Sequence, residues 1–383
     1  MTIQLTSKLP HVGTTIFSTM TKLSNDLGAI NLSQGFPNFD PPDALRALVT
    51  YHLNNGKNQY APMAGVPKLR AQIAAKVADL YGRNISVDDE ITVTNGATEG
   101  LFVAINTVIN LGDEVIIFDP AFDSYQPVIE LNGGRTIHIP LDAPNFAIDW
   151  QRVRDSISPK TRLILLNFPH NPTGTILTPA DLETLVEIVR DTNIFLLSDE
   201  VYEHIIFDGI AHQSLLCHAE LAERTFVVSS FGKTYHATGW KIGYCIAPSH
   251  LTAEFRKIHQ FLVYSIFSPA QHALADFLEQ SPETHKNLAQ FYQQKRDRFC
   301  NLLTDSRFKF TPTQSTFFQL LDYSTLTDLT DIEYARQLIQ DIGVASIPIS
   351  AFYKEKPPQH YLRFCFAKDD ATLAEAASRL CGI

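Results

Sequence analysis

A chain of 383 residues, 45% hydrophobic, is long enough to bury a full core as two domains or as one large domain with an appendage. Its formal net charge of −10, with no Lys/Arg-rich block, argues against nucleic acid or an anionic membrane as the main partner. No apolar run reaches the roughly 18 residues of a membrane helix, and the N-terminal M-T-I-Q-L-T-S-K-L-P-H lacks a signal pattern. The five cysteines, Cys217, Cys245, Cys300, Cys365 and Cys381, are odd in number and have no C-x-x-C spacing. They predict buried thiols in a reducing compartment, with the cytoplasm as default, rather than disulfides or a zinc site.

Residues 1–40 read as an N-terminal arm that belongs in part to a smaller domain. The Pro-bearing stretch N-L-S-Q-G-F-P-N-F-D-P-P, Asn31 to Pro42, marks the junction. From about Glu90 to Ala247, short β-branched runs alternate with longer helical stretches. Strands are expected at Ile91–Thr94, Glu114–Phe118, Thr136–Pro140, Arg162–Asn167, Ile194–Ser198, Phe226–Ser229 and Ile242–Ala247. Several are apolar throughout rather than alternating, as in a sheet covered on both faces. Thr98–Asn110 and Pro179–Asp191 read as helices, the second with Thr178 as N-cap and Pro179 at its first position. The pattern predicts an α/β domain with a largely parallel sheet over residues 41–280. Residues 281–383 differ: helical stretches near 283–305 and 331–342 surround strand candidates Thr316–Leu321 and Tyr361–Phe366, and Ala371–Leu380 closes the chain as a helix. This part reads as a smaller α+β domain.

In open α/β sheets, ligands bind beyond the carboxyl ends of the strands. After Ile91–Thr94 comes N-G-A-T-E, where Gly96, Ala97 and Thr98 would offer free N–H groups and a hydroxyl at a helix N-terminus that favours an anion. Many strand-to-helix turns carry a glycine for steric reasons alone. After Arg162–Asn167, F-P-H-N-P-T-G holds Asn171 between two prolines, which suits either a positioned amide or a structural turn. After Ile194–Ser198, D-E-V-Y-E-H puts Asp199 where a carboxylate is costly without a cation or donor, unless it caps a helix. Tyr202 follows. Lys233 stands in S-S-F-G-K-T-Y-H-A-T-G-W-K between two apolar runs. It is either a loop lysine with its head in water or a partly desolvated amine, with lowered pKa, able to attack a carbonyl. Together these are the groups that a pyridoxal phosphate site requires. The amine meets the aldehyde, the carboxylate the ring nitrogen, phenol and amide the ring oxygen, and the helix end the phosphate.

The same motifs resemble those of the class I/II, fold-type I pyridoxal-phosphate aminotransferases: N-P-T-G at Asn171–Gly174, D-E-V-Y at Asp199–Tyr202, S-F-G-K at Ser230–Lys233 and G-W-K at Gly239–Lys241. The resemblance runs from about Asn31 to the C-terminus. It is closest to the methionine and glutamine/kynurenine branch across S-Q-G-F-P-N-F, N-Q-Y-A-P-M-A-G and the late S-I-P-I-S-A-F-Y…L-R-F-C-F-A-K. It implies a mostly parallel seven-stranded sheet between helices, a smaller α+β domain, and a homodimer with active sites at the interface.

The resemblance also implies roles for single residues. Lys233 would tether the cofactor through a Schiff base and carry the substrate's α-proton. Asp199 would pair with the ring nitrogen, Tyr202 and Asn171 with the ring oxygen, and Phe122 would stack on the ring. Gly96, Ala97, Thr98, Ser230 and Lys241 would hold the phosphate, joined by Tyr60 from the neighbouring subunit. Many relatives carry arginine where this chain has Lys241, which keeps the charge and loses the bidentate fork. Arg363, assisted by Gly35 and Asn171, would clamp the substrate α-carboxylate. Phe17, Tyr60, Phe122, Phe317 and Phe318 would line a side-chain pocket suited to methionine, aromatic amino acids, kynurenine or glutamine. No arginine for a distal carboxylate is evident. The implied reaction passes an amino group to a 2-oxo acid in a ping-pong cycle. A cysteine-conjugate or cystathionine β-lyase would use the same residues. A regulator of this fold would need a lost lysine or an added basic segment, and neither is present.

Overall fold

The computed structural model describes residues 3, 5–356 and 360–383; Met1, Thr2 and Gln4 of the expected arm and residues 357–359 of the expected C-terminal domain lie outside it. In chain order the strands are β1 (Ile30–Asn31), β2 (Ile91–Thr94), β3 (Glu114–Asp119), β4 (Arg135–Pro140), β5 (Thr161–Asn167), β6 (Phe195–Asp199), β7 (Thr225–Ser230), β8 (Gly243–Ile246), β9 (Phe318–Asp322), β10 (Val344–Ala345), β11 (Ile347–Pro348) and β12 (Tyr361–Cys365). Strands β2 to β8 make one seven-stranded sheet in the order β2-β8-β7-β6-β5-β3-β4. Neighbours from β4 to β7 are parallel, and β8 alone runs antiparallel to the strands on either side. This is the α/β, mostly parallel architecture expected of fold-type I.

The apolar runs follow from double coverage. Val115, Ile117, Leu163, Leu165 and Leu197 face a core built on helix Gly96–Val108. Their alternates Ile116, Phe118, Ile164, Leu166 and Leu196 face a second core with Leu182, Leu185 and Val186 of helix Pro179–Val189. Alternate residues point to opposite faces, and both faces are dry, so the middles of these strands are apolar at consecutive positions.

The smaller part has an antiparallel sheet β11-β12-β9 and the short parallel pair β1–β10. Its core joins Phe299, Leu338, Phe364, Leu373 and Ala376 to Met20 and Leu32 of the N-terminal segment. Helix Asp331–Ile342 is closed by a capping box between Thr330 and Glu333 and by left-handed Gly343.

Several expected boundaries move, for local backbone reasons. Helix Gly96–Val108 starts two residues earlier than expected. Helix Pro179–Val189 stops short because Arg190 turns extended (ψ 174°) and Asp191 takes φ +31°. Thr316 sits at φ +63°, so the strand begins at Phe318. The stretch near 283–305 divides into Glu283–Lys286 and Leu288–Leu302. Among the described residues all five cysteines are free, but only Cys245, Cys300 and Cys365 are buried as expected: Cys217, at the end of a short turn, is exposed, and Cys381, at the end of the last helix, is half-buried. Among the same residues no group of His, Cys, Asp or Glu is arranged to hold a metal, and no helix is long and apolar enough to cross a membrane.

Candidate active site

Strand register brings the chemistry together. Asn167 pairs with Asp199 and Asp199 with Val228, so the ends of β5, β6 and β7 lie side by side. Two residues beyond Val228, Ser230 ends β7, and the next turn of chain delivers Lys233. On the other side, Gly243 of β8 pairs with both Ser230 and Thr94. A Cβ on Gly243 would stand 2.6 Å from the Ser229 carbonyl and 2.8 Å from the Ala97 nitrogen. Only glycine lets the helix start at Gly96 close against Ser230. The result is a cavity of about 200 Å³ whose wall includes Gly96, Ala97, Thr98, Phe122, Asn171, Asp199, Tyr202, Ser230, Lys233 and Lys241.

At one end of the cavity are the helix N-terminus, Thr98, Ser230 and Lys241. Lys241 holds a left-handed backbone (φ +55°) and its Nζ lies 3.4 Å from the Thr98 hydroxyl. A non-glycine residue adopts that conformation at a cost, which local structure must offset. Free N–H groups, two hydroxyls and one ammonium form a receptor for a phosphate.

In the middle stand Asp199 and Lys233. Burial pushes the Asp199 carboxyl up to about 6, against the Tyr125 hydroxyl, the Val201 N–H and the charge of Lys233, which lower it. Its Oδ2 accepts from Tyr125 at 2.6 Å, and Asn167 donates to its main-chain carbonyl at 3.2 Å. Lys233 donates to the Gly35 carbonyl at 2.8 Å and lies over the rings of Phe317 and Tyr202, 5.4 and 5.6 Å away. Burial brings its pKa down to about 8. Gly35 approaches this closely because it has no side chain, since a Cβ there would meet Phe318 at 2.7 Å.

Behind the cavity wall, joined to it through Asn171, lies Arg363 of β12, 1% exposed. It donates to Asn171 Oδ1 and to the Ser33 carbonyl, both at 2.7 Å, while its Nε has no partner among the described residues. The guanidinium stacks on Phe318 at 4.0 Å and faces Phe17 at 5.4 Å. Burial lowers its pKa to about 10, still a cation at neutral pH. Asn171 is fixed between cis Phe168–Pro169 and a cis peptide to Pro172.

Six expected site residues are not in the cavity wall: Arg363, Gly35 and Phe17 stand behind it, Arg363 bonded to Asn171, Gly35 to Lys233 and Phe17 facing the Arg363 guanidinium, while Phe317, Phe318 and Tyr60 lie elsewhere. Phe317 and Phe318 are buried in the core of the smaller part rather than in the cavity wall: Phe317 lies beneath Lys233 and edge-on to Tyr202, and Phe318 beneath Arg363. Tyr60 is 83% exposed and packs only edge-on against Tyr264, outside the cavity of its own chain. Sequence reasoning passed over Tyr125, Asn167 and Ser33. Asn167 was within reach as the last residue of a predicted strand, whereas the other two act through long-range contacts.

This donor set fits pyridoxal phosphate on its chemistry: a desolvated amine, a buried carboxylate, a phosphate receptor and a guanidinium with an unpaired N–H. The model of the family "Aminotransferase class I and II" matches residues 28–380. The chain is 50% identical over 374 residues to methionine aminotransferase of Escherichia coli strain K12, covering 98% of this chain and 97% of that one. It is 34% identical to kynurenine–oxoglutarate transaminase of Dictyostelium discoideum over 96% of this chain and 94% of that one. Among solved structures, YbdL from Escherichia coli, identified as having a methionine aminotransferase function, superposes with a TM-score of 0.98 at 49% identity over 100% of both chains. N-succinyldiaminopimelate aminotransferase from Mycobacterium tuberculosis gives 0.95 at 36%, over 99% of this chain and 100% of that one. The chain belongs to the class I and II aminotransferases and is a pyridoxal-phosphate-dependent aminotransferase.

Proposed function

We propose that this enzyme takes the amino group of methionine, and also of aromatic amino acids, kynurenine or glutamine, and passes it to a 2-oxo acid in two half-reactions. When bound, pyridoxal phosphate supplies an aldehyde and an electron-withdrawing ring. Gly96, Ala97, Thr98, Ser230 and Lys241 hold its phosphate, Phe122 its ring face, Tyr202 and Asn171 its ring oxygen, and Asp199 its ring nitrogen. Lys233 Nζ takes the α-proton of the donor, a task for which a desolvated amine near pKa 8 is matched. The single observation that carries the substrate reading is Arg363. It is a buried guanidinium whose hydrogen-bond partners among the described residues, Asn171 and the Ser33 carbonyl, are neutral, and the Asp123 carboxylate acts on it only from beyond ion-pair distance. Burying a charge without its opposite is costly, so a carboxylate from outside completes it. Gly35 and Asn171 assist that clamp.

Phe17, packed on Phe352 at 5.4 Å and facing the guanidinium, gives the substrate side chain an aromatic neighbour, while the buried Phe317 and Phe318 back Lys233 and Arg363. Among the described residues Lys233 and Lys241 are the cations of the cavity wall, and both are engaged in the roles above, so this wall offers no further cation to a second carboxylate. An amino-donor panel against one fixed oxo acid tests this reading. Methionine and phenylalanine should exceed aspartate in kcat/KM by about 100-fold, the worth of one missing charge partner. Aspartate as the best donor would contradict it, and pyruvate with ammonia released without any oxo acid would favour a lyase.

We also propose a homodimer, in which the partner subunit's Tyr60 completes the phosphate site. Tyr60, Phe261, Leu262, Tyr264 and Phe267 form an exposed apolar group, with Phe261 86% exposed. Patches of that kind mark association surfaces. Domain borders near residues 40 and 280 and a cytoplasmic location complete the reading, the latter supported by five free cysteines.

A further inference from the structure

The carboxylate of Asp199 accepts one short hydrogen bond among the described residues, and it comes from a side chain given no catalytic task above. Tyr125 opens helix Tyr125–Leu131 and is 2% exposed. Its hydroxyl meets Oδ2 at 2.6 Å, whereas Oδ1 receives only a long contact of 3.4 Å from the Val201 N–H. The phenol has little freedom, because Tyr125 is packed into the core with Ile129, Leu165 and Leu197. Its ring also stands edge-on to Phe122, with centroids 5.6 Å apart at 74°, and Phe122 belongs to the cavity wall. One side chain thus fixes the acid at the floor of the cavity and the ring at its side.

We propose that Tyr125 is a positioning residue for the cofactor: it anchors Oδ2 of Asp199, so that the carboxylate is turned to receive the protonated ring nitrogen of pyridoxal phosphate on its remaining oxygen. This rests on the reading of Asp199 as the partner of that nitrogen. A neutral donor on an ionised acceptor is the stronger kind of hydrogen bond. It also keeps the carboxylate ionised where burial alone would favour the protonated acid. A carboxylate held in one orientation before the ligand arrives needs no ordering when it binds.

The test compares two ligands on the cofactor-free full chain: pyridoxal phosphate, and its analogue in which the ring nitrogen is replaced by C–H. Tyr125→Phe keeps the ring and its contact with Phe122 and removes only the hydroxyl. It should weaken pyridoxal phosphate about tenfold at pH 8 and more at pH 6, while the analogue changes by less than about twofold. Asp199→Asn should show the same selectivity, and Tyr125→Phe added to it should cause no further loss. Equal weakening of both ligands by Tyr125→Phe would overturn the proposal in favour of general damage to the fold. So would no weakening of either ligand by Tyr125→Phe while Asp199→Asn remains selective. If Asp199→Asn itself fails to discriminate the ligands, the reading of Asp199 falls and the role of Tyr125 falls with it.

Discussion

Lys233 owes its reactivity to where β7 ends rather than to any neighbouring base. Its amine is enclosed by Tyr202, Phe317 and the Gly35 carbonyl, which together offset only part of the water an ammonium loses on burial. A fall from the ordinary 10.5 to about 8 raises the neutral fraction at pH 7 roughly 300-fold. Capture of pyridoxal phosphate by the cofactor-free chain needs that neutral form. Stopped-flow absorbance should therefore show a capture rate that rises about tenfold per pH unit below pH 8 and levels above it. A rate still climbing tenfold per unit beyond pH 9 would mean that the amine is not desolvated. The sign for stability agrees: between about 8 and 10.5 the folded chain carries fewer protons than the unfolded one, so this group's contribution to stability grows with pH across that window.

At the scale of elements, the turn after β6 is held from behind. Lys76, on helix Pro67–Tyr81, pairs with Glu203 at 2.8 Å, and Glu203 also accepts from Tyr81 at 2.6 Å, Tyr244 at 2.7 Å and Ser229 at 2.5 Å. Burial pushes the Glu203 carboxyl up, but Lys76 beside it and the hydroxyl donors hold it well below the usual range. The network ties one helix to two strands directly behind Tyr202 and Ser230. Lys76→Met would leave a buried carboxylate without its cation and should cost about 3 kcal/mol in urea unfolding of the cofactor-free chain. A loss under about 1 kcal/mol would show that water replaces the lysine. The central strands β3, β5 and β6 were legible because double coverage makes their middles apolar on both faces, the others by their β-branched runs, and the site was legible where motifs sit at strand ends. Strands of two residues, β1, β10 and β11, are too short to show any period. Tyr125, 74 positions before Asp199, and Ser33, 330 before Arg363, act across separations that no local pattern encodes.

For the molecule as a whole, the site exists only where its two parts meet. Asp199 ends a strand of the seven-stranded sheet and Lys233 lies on the turn that follows β7, Arg363 belongs to the smaller antiparallel sheet, and the segment 33–36 gives the Ser33 carbonyl to Arg363, the Gly35 carbonyl to Lys233 and the Phe36 carbonyl to Lys368. The proposed dimer adds Tyr60 from outside. All of this geometry converges on one atom, Nζ of Lys233. The most direct measurement is to load the protein with pyridoxal phosphate, trap the amine–aldehyde bond with borohydride, and map the added mass by peptide mass spectrometry. The label is expected on the peptide containing Lys233 and should be lost in Lys233→Ala. Label on Lys241 instead, or undiminished in Lys233→Ala, would contradict it.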